Sequence, residues 1–275
     1  MERDIAAAAV DATSRVEGFA AEADVRIAQA GAGRPALLLH GGGGPPTVAA
    51  FAKDLARHCH VITPTHPGFG HTNRPAEMAS VKDLARLYVA LLERADLRDT
   101  LVIGCSLGGW IAAEMGVAKS ANIAGLVIVN ACGIAVPGET VLDVFSVAPS
   151  ELASYSYHAP DQYRVDMTKL SEQQAATMRS NFAALAAYGR AQNMQDPDLR
   201  DRLAAVQPPA LVVWGESDRV VTPVYGRAYA AAFPNGRFEL IPECGHLPQI
   251  EQRQRLLDIV TKFGRMLSEP AARTH

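Results

Sequence analysis

At 275 residues, 48% hydrophobic and 20% charged, the chain is long and apolar enough to bury a sizeable core as one domain with room for an insertion. A formal net charge of −3 lacks the basic footprint of a nucleic-acid binder, and four cysteines without a CxxC pair exclude a disulfide scaffold. Met1-Glu2-Arg3-Asp4 and the short Ala/Val run after it form neither the basic start of a secretory signal nor a membrane span. A reducing cytoplasm, with no membrane or nucleic-acid partner, is therefore the expected setting.

Residues 1–12 read as a loose helix or as unstructured chain. Arg15 to Phe19 and Asp24 to Ala28 alternate well enough for two strands, with Gly31-Ala32-Gly33 as a turn. Ala36 to His40 is a buried strand that opens into Gly41-Gly42-Gly43-Gly44-Pro45-Pro46. Thr47 to Arg57 has helical spacing, with Thr47 as the capping candidate. A strand at His60 to Thr63 leads into the loop His66-Pro67-Gly68-Phe69-Gly70. Ser80 and Asp83 make a capping box that opens a helix running to about Arg94. Thr100 to Ile103 is β-branched and apolar and runs straight into Gly104-Cys105-Ser106-Leu107-Gly108, after which Trp110 to Val117 is helical. Ile123 to Val129 is the next strand, and Asn130 sits at its end. Strands alternating with helices in this way imply a parallel sheet, whose carboxyl ends are where reactive groups gather.

Between Gly133 and Pro208 the alternation stops. Ser171 with Gln174 opens one helix to Met194, and Asp196 with Pro197 opens another. Phe145, Tyr155, Tyr157, Tyr163, Met167, Met178, Phe182 and Tyr188 give this stretch an apolar, aromatic character. Most such side chains pack in interiors, and some of these are candidates for a binding wall. The alternation then resumes with a strand at Ala210 to Trp214 and a helix capped by Thr222 and Pro223. A strand at Phe238 to Ile241 and a terminal helix from Pro248 to Leu267 complete it.

Strand, G-x-S-x-G turn and helix together define a nucleophile elbow. The chain order of glycine-rich loop, Ser106, Gly215-Glu216-Ser217-Asp218 and Gly245-His246 resembles the α/β-hydrolase family, from about Glu22 to Leu267. The resemblance implies an α/β fold: a mostly parallel central sheet flanked by helices, with 1–133 and 206–275 as the core and 134–205 as a helical cap. It implies Ser106 as nucleophile, His246 as base and Asp218 as the acid that orients it, with Glu216 as a rival. It implies an oxyanion hole from the N–H groups of Leu107 and Gly42, with Gly43 as the alternative. Gly41, Gly43, Tyr155, Tyr157 and Phe182 are the candidate substrate contacts. His40 would brace the glycine loop. His66 stands where the family often has Asp and reads as a structural loop residue.

A serine hydroxyl needs a base to become a nucleophile, and a histidine held by a carboxylate supplies one. By the same resemblance, serine at the elbow in place of aspartate implies cleavage of an ester, thioester or amide through an acyl-enzyme, with a small carboxylic ester or thioester as the expected substrate. The Gly-Gly-Gly-Pro loop is also similar to that of relatives that hydrolyse carbon–carbon bonds of aromatic ring-cleavage products. Those relatives tend to carry Asn before the serine and Trp after the histidine, where this chain has Cys105 and Leu247. A third reading is a ligand-binding relative with little turnover. The glycine loop lacks the G-x-G-x-x-G pattern of a dinucleotide site, and neither a cofactor nor a metal is expected. The expected partner is a small molecule with an apolar acyl or aromatic group, acted on by a monomer or homodimer.

Overall fold

The computed structural model describes residues 10–16 and 23–268 of the chain. Its first elements are strands β1 (Val10–Val16), β2 (Ala23–Ala30) and β3 (Pro35–Leu39), helix α1 (Pro46–Leu55), strand β4 (His60–Pro64) and helix α2 (Val81–Arg94). Strand β5 (Thr100–Cys105), helix α3 (Leu107–Val117) and strands β6 (Ile123–Val129) and β7 (Gly133–Ile134) follow. An inserted stretch then carries α4 (Leu152–Ser156), α5 (Pro160–Tyr163), the long α6 (Glu172–Gly189), strand β8 (Gln195–Asp196) and α7 (Leu199–Arg202). Strand β9 (Ala210–Gly215), helix α8 (Pro223–Ala232), strand β10 (Gly236–Ile241) and helices α9 (Pro248–Glu251) and α10 (Arg253–Ser268) complete it.

Eight of these strands form one sheet in the order β1-β2-β4-β3-β5-β6-β9-β10. β1 and β2, and β2 and β4, pair antiparallel; the pairs from β4 to β10 are parallel. Alternate residues of β3 enter opposite cores, because side chains of a strand point to its two faces in turn. Leu37 and Leu39 join the cluster with α2, α3 and α8, whereas Ala36 and Leu38 join the one with α1 and α10. Both faces are thus covered, as a parallel sheet requires. No helix among the described residues is long and apolar enough to cross a membrane.

The chain departs from its local pattern at several element ends. Val10–Val16 is strand, paired residue for residue with Ala23–Ala30, so the edge strand lies earlier than Arg15 to Phe19 and replaces helix at residues 10–12. The register with β2, a long-range contact, sets its position. Residues 1–9 and 17–19 of those two expectations lie outside the described residues. Thr47 is not a cap: Pro46 starts α1 with its fixed φ, so Thr47 falls in the first turn and its hydroxyl donates to the Gly44 carbonyl at 2.7 Å. Asp196 lies in β8 and accepts from the Asp198 N–H at 3.0 Å, so the following helix opens at Leu199. The terminal helix breaks at Gln252, whose ψ of 46° leaves the helical region. The capping boxes at Ser80 and Ser171 and the Thr222 cap all form.

The inserted stretch is tied to the core, beginning at its neck. Its neck closes where Gly133 and Ile134 pair with Gln195 and Asp196. Beside the neck, Arg202 makes a bidentate pair with the buried Glu114 of α3 at 2.6 and 2.7 Å, and also reaches Asp196 at 2.7 Å. Lys82 adds a second cation to Asp196 at 2.8 Å. These charges satisfy one another, which a buried carboxylate such as Glu114 needs. Further along, α6 lies over the loops at the carboxyl end of the sheet.

The elbow helix approaches β3 main chain to main chain. A Cβ on Gly108 would lie 2.2 Å from the Leu39 carbonyl oxygen and 2.7 Å from that of His40, both main-chain atoms. Gly108→Ala is therefore expected to cost about 1–3 kcal/mol or more in stability, since backbone must move to relieve the overlap. Gly264→Ala, where the added carbon meets only Leu101 Cδ2 at 3.7 Å, should hold or gain stability. Urea denaturation of both variants checks the contrast.

Candidate active site

β5 ends at Cys105 and α3 begins at Leu107, leaving one residue for the turn. Ser106 takes it with φ 53° and ψ −116°, a conformation rarely adopted by a residue with a side chain. The surrounding structure enforces this strain. The Gly108 N-terminal turn of α3 presses on β3, and a Cβ on Gly104 would lie 2.1 Å from the Gly108 oxygen. The half-buried Ser106 is thereby presented at the carboxyl edge of the sheet.

His246 reaches Ser106 from the loop after β10. Its Nε2 lies 2.9 Å from Ser106 Oγ and its Nδ1 lies 2.9 Å from Asp218 Oδ2. Asp218 follows β9 and is buried; its Oδ1 accepts from the N–H groups of Val220 and Val221 at 2.8 and 3.1 Å. A carboxylate so surrounded by donors is an acceptor, so Nδ1 of His246 carries the proton and donates it. Nε2 is then the free acceptor facing the serine hydroxyl. Glu216 is exposed on the other side of the turn, where its carboxylate accepts from the Glu243 N–H. The structure therefore brings Ser106, His246 and Asp218 together and leaves Glu216 apart.

One partner of this group is not evident in the sequence. Asn130, buried at the end of β6 with φ 44°, donates from Nδ2 to Asp218 Oδ2 at 2.6 Å. Its Oδ1 accepts from the Gly215 N–H at 3.3 Å. The amide joins two strand ends to the carboxylate that holds His246. Nothing local in Val-Asn-Ala signals this, because its partner lies 88 residues away.

The histidine loop is fixed by a second carboxylate. Glu251 in α9 accepts from Gly245 N–H at 2.6 Å, His158 N–H at 3.1 Å and Ala159 N–H at 3.0 Å. His246 itself donates its N–H to the Ser156 carbonyl at 2.7 Å. The inserted stretch near Tyr157 thus packs directly against the Gly245–His246 peptide: a Cβ on Gly245 would meet Tyr157 Cα at 2.6 Å.

Main-chain N–H groups without a backbone partner among the described residues lie next to Ser106 in the sequence, at the start of α3, and in the glycine loop. Leu107 is the first residue of α3, so its N–H has no partner within the helix. Among the described residues, neither the Gly42 N–H nor the Gly43 N–H has a backbone acceptor. The glycine loop comes against the serine at Gly41, where a Cβ would lie 3.0 Å from Ser106 Cβ and 3.7 Å from Oγ. Gly43 turns its carbonyl to Asn181 of α6, which donates to it at 2.9 Å and accepts from the Gly70 N–H at 2.8 Å. Gly42 lies under Leu185 of the same helix, whose Cδ2 would be 2.6 Å from an added Cβ.

The buried stripe of α6 is Asn181, Ala184, Leu185 and Tyr188, spaced three and four apart. Phe182 is off that stripe: it is 40% exposed and packs on Phe145, with ring centroids 5.1 Å apart. Tyr155 uses its carbonyl to accept from the Arg219 N–H at 3.1 Å. Tyr157 stacks on Tyr163 at 4.7 Å, and burial beside Glu251 pushes its phenol up to about 12. Asn181 and Leu185 are thus the residues of α6 that meet the glycine loop, and the Asn-Ala-Leu-Tyr spacing is the signal that identifies them.

His40 and His66 are buried, and desolvation disfavours their charged forms: His40 falls to about 4 and His66 lies well below the ordinary histidine range. Both are neutral at physiological pH. Burial also holds the thiol of Cys105, directly before the serine, up at about 12 and pushes that of Cys244 up. Neutral buried thiols are inert, so neither is a candidate nucleophile. Among the described residues, no group of three or more His, Cys, Asp or Glu side chains is arranged to hold a metal ion.

Residues 36–259 match the family model described as the alpha/beta hydrolase family, and the chain belongs to that family. It is 26% identical over 249 residues to a 2-hydroxymuconate semialdehyde hydrolase of Pseudomonas putida, covering 85% of this chain and 88% of that one. Among solved structures it is similar to a meta-cleavage product hydrolase of Pseudomonas fluorescens IP01, with a TM-score of 0.76 at 20% identity over 93% of this chain and 98% of that one. It is likewise similar to a thermophilic esterase of Thermogutta terrifontis, with a TM-score of 0.74 at 23% identity over 94% and 99%. The two structural likenesses show a shared fold. The relatives named here are a semialdehyde hydrolase, a meta-cleavage product hydrolase and an esterase.

If Asp218 holds His246 and offsets its charge as it takes the Ser106 proton, removing the charge of the buried carboxylate should be severe. Asp218→Asn is expected to lower kcat/KM for an ester by orders of magnitude; the same change in a serine protease costs about ten-thousand-fold. Glu216→Gln should stay within a few-fold of the parent. Steady-state kinetics on both folded variants reads the ranking, and the reverse order would move the acid to Glu216.

Proposed function

We propose that the protein is a serine hydrolase that cleaves a small carboxylic ester or thioester through an acyl-enzyme on Ser106. The observation that carries this reading is Ser106 Oγ at 2.9 Å from His246 Nε2, with the far nitrogen of the ring held by the buried Asp218. In the proposed reaction His246 removes the hydroxyl proton as Oγ attacks the substrate carbonyl carbon. Asp218 offsets the charge that then develops on the imidazole. The carbonyl oxygen becomes an oxyanion between the Leu107 and Gly42 N–H groups, a type of contact in which one donor contributes about 3–4 kcal/mol to lowering the barrier. His246 passes the proton to the departing alcohol or thiol. It then takes one from water, whose oxygen attacks the acyl carbon, and returns that proton to Ser106 Oγ as the bond to the acyl carbon breaks and the carboxylic acid leaves.

On this reading the stretch 134–205 is the cap, and its helix α6 supplies the apolar wall. Leu185, seated over Gly42, is the side chain in best position to meet an acyl group. Each methylene the wall buries contributes about 0.8 kcal/mol, so longer acyl groups gain over acetate.

A second reading, hydrolysis of a carbon–carbon bond in a ring-cleavage product, is favoured by the relative named 2-hydroxymuconate semialdehyde hydrolase. Against it stand Cys105 and Leu247, where such enzymes tend to have Asn and Trp. A thiol is a weaker donor than an amide, and the leucine side chain has no donor to stand in for an indole N–H.

A fluorophosphonate probe should label the protein at Ser106, and Ser106→Ala should abolish both labelling and hydrolysis. Turnover is then compared across p-nitrophenyl esters of increasing acyl length and a ring-fission product. Faster turnover of the esters supports the first reading; turnover of the ring-fission product alone supports the second. Leu185→Ala is expected to lower kcat/KM for butyrate or longer esters by about ten-fold or more while changing acetate much less, since about 1.4 kcal/mol is a factor of ten. An equal loss across the series would remove Leu185 from the acyl wall.

A further inference from the structure

We infer that His66 is a positioning residue of the oxyanion hole: it holds the His40–Gly41–Gly42 main chain so that the Gly42 N–H faces the substrate oxygen. The inference rests on the esterase reading above and deepens it.

The hydrogen-bond directions fix both imidazole tautomers. The His66 main-chain N–H lies 3.1 Å from His40 Nε2, and a backbone N–H can only donate. His40 Nε2 is therefore the acceptor, and the single proton of the neutral ring sits on Nδ1. That nitrogen lies 2.8 Å from the Gly41 carbonyl and donates to it. The His66 side chain runs the other way. Its Nε2 lies 2.9 Å from the His40 carbonyl, which only accepts, so Nε2 carries the proton. Its Nδ1 then accepts from the Tyr88 hydroxyl at 2.6 Å. His40, His66, Tyr88 and the adjoining Phe69 are all fully buried, with the two imidazoles 3.8 Å apart and the Phe69 ring edge-on to both.

Two successive carbonyls are thus pinned. His66 Nε2 holds that of His40, and His40 Nδ1 holds that of Gly41, which also accepts from the Gly44 N–H at 3.0 Å. A trans peptide is planar, with its C=O and N–H pointing in opposite directions. Turning the Gly41 carbonyl into the loop therefore turns the Gly42 N–H out of it. Gly41 is the residue of the loop that touches Ser106. Glycine tolerates many peptide orientations, and a run of four has no intrinsic preference for this one. The selection comes from His66, which grips His40 through its own main chain and through its side chain at once.

The test compares His66→Leu with His66→Gln. Gln places an N–H donor toward the His40 carbonyl and an acceptor toward Tyr88; Leu does neither. With active sites counted by fluorophosphonate titration, His66→Leu is expected to lose about a hundred-fold in kcat on a p-nitrophenyl ester, with KM within about two-fold. The affinity for phenylboronic acid, whose tetrahedral adduct on serine places an oxygen in the hole, should fall in parallel. His66→Gln should recover kcat to within about ten-fold of the parent. A folded His66→Leu with parental kcat, or a loss that Gln and Leu share equally, would overturn the inference. Where His66→Leu fails to fold, Tyr88→Phe, which deletes one hydroxyl, carries the test: a several-fold loss in kcat at constant KM supports it, and no change overturns it. An unmodified enzyme that turns over none of the esters defeats the esterase reading instead, so the two failures are distinguishable.

Discussion

The close crossing of α3 over β3 and β5 is the constraint on which the site depends. Gly104 and Gly108 allow main chain to meet main chain, and that contact compresses the strand-to-helix turn into one residue. The strain collects at Ser106, whose φ of 53° is held by packing on both sides. The same contact aligns the first turn of α3, so that the Leu107 N–H emerges beside the serine. The proposed nucleophile and one proposed oxyanion donor thus follow from a single steric fact.

The other parts of the site are held by polar groups that bridge remote segments. Asn130 ties the ends of β6 and β9 to Asp218, Glu251 ties the histidine loop to His158 and Ala159, and Asn181 ties α6 to the glycine loop and to Gly70. Each such bond contributes only about 1 kcal/mol net, yet leaving one buried partner unpaired costs about 1–3 kcal/mol. Their effect is therefore one of specificity of position more than of stability. They also make the proposed cap and the reactive groups one mechanical unit, since Ser156 and Glu251 meet at the Gly245–His246 peptide.

His66 shows how a loop reading leaves a residue's partners unseen. In the sequence it is one histidine before Pro67-Gly68, without a partner at any ligand-like spacing. Its partners are the main chain of His40, 26 residues earlier, and the hydroxyl of Tyr88, 22 residues later. Burial keeps it uncharged, which leaves one nitrogen to donate and one to accept.

The sequence by itself determined the order of strands and helices in the core, the elbow at Gly104 to Gly108 and the capping boxes at Ser80 and Ser171. Each rests on local physics: apolar runs suited to a buried sheet, glycines where a Cβ has no room, and side chains that satisfy orphan N–H groups three residues on. It also singled out Ser106, Asp218 and His246, through the resemblance to a fold that presents its loops at one edge. Only the tertiary structure decided that Val10–Val16 is the edge strand, that Thr47 points back to Gly44, and that Leu185, not Phe182, lies over Gly42. It alone brought Asn130 to Asp218 and Asn181 to Gly43. Pairing register, helix rotation and buried amide partners are fixed by contacts between residues far apart in the chain, and local propensity carries no record of them.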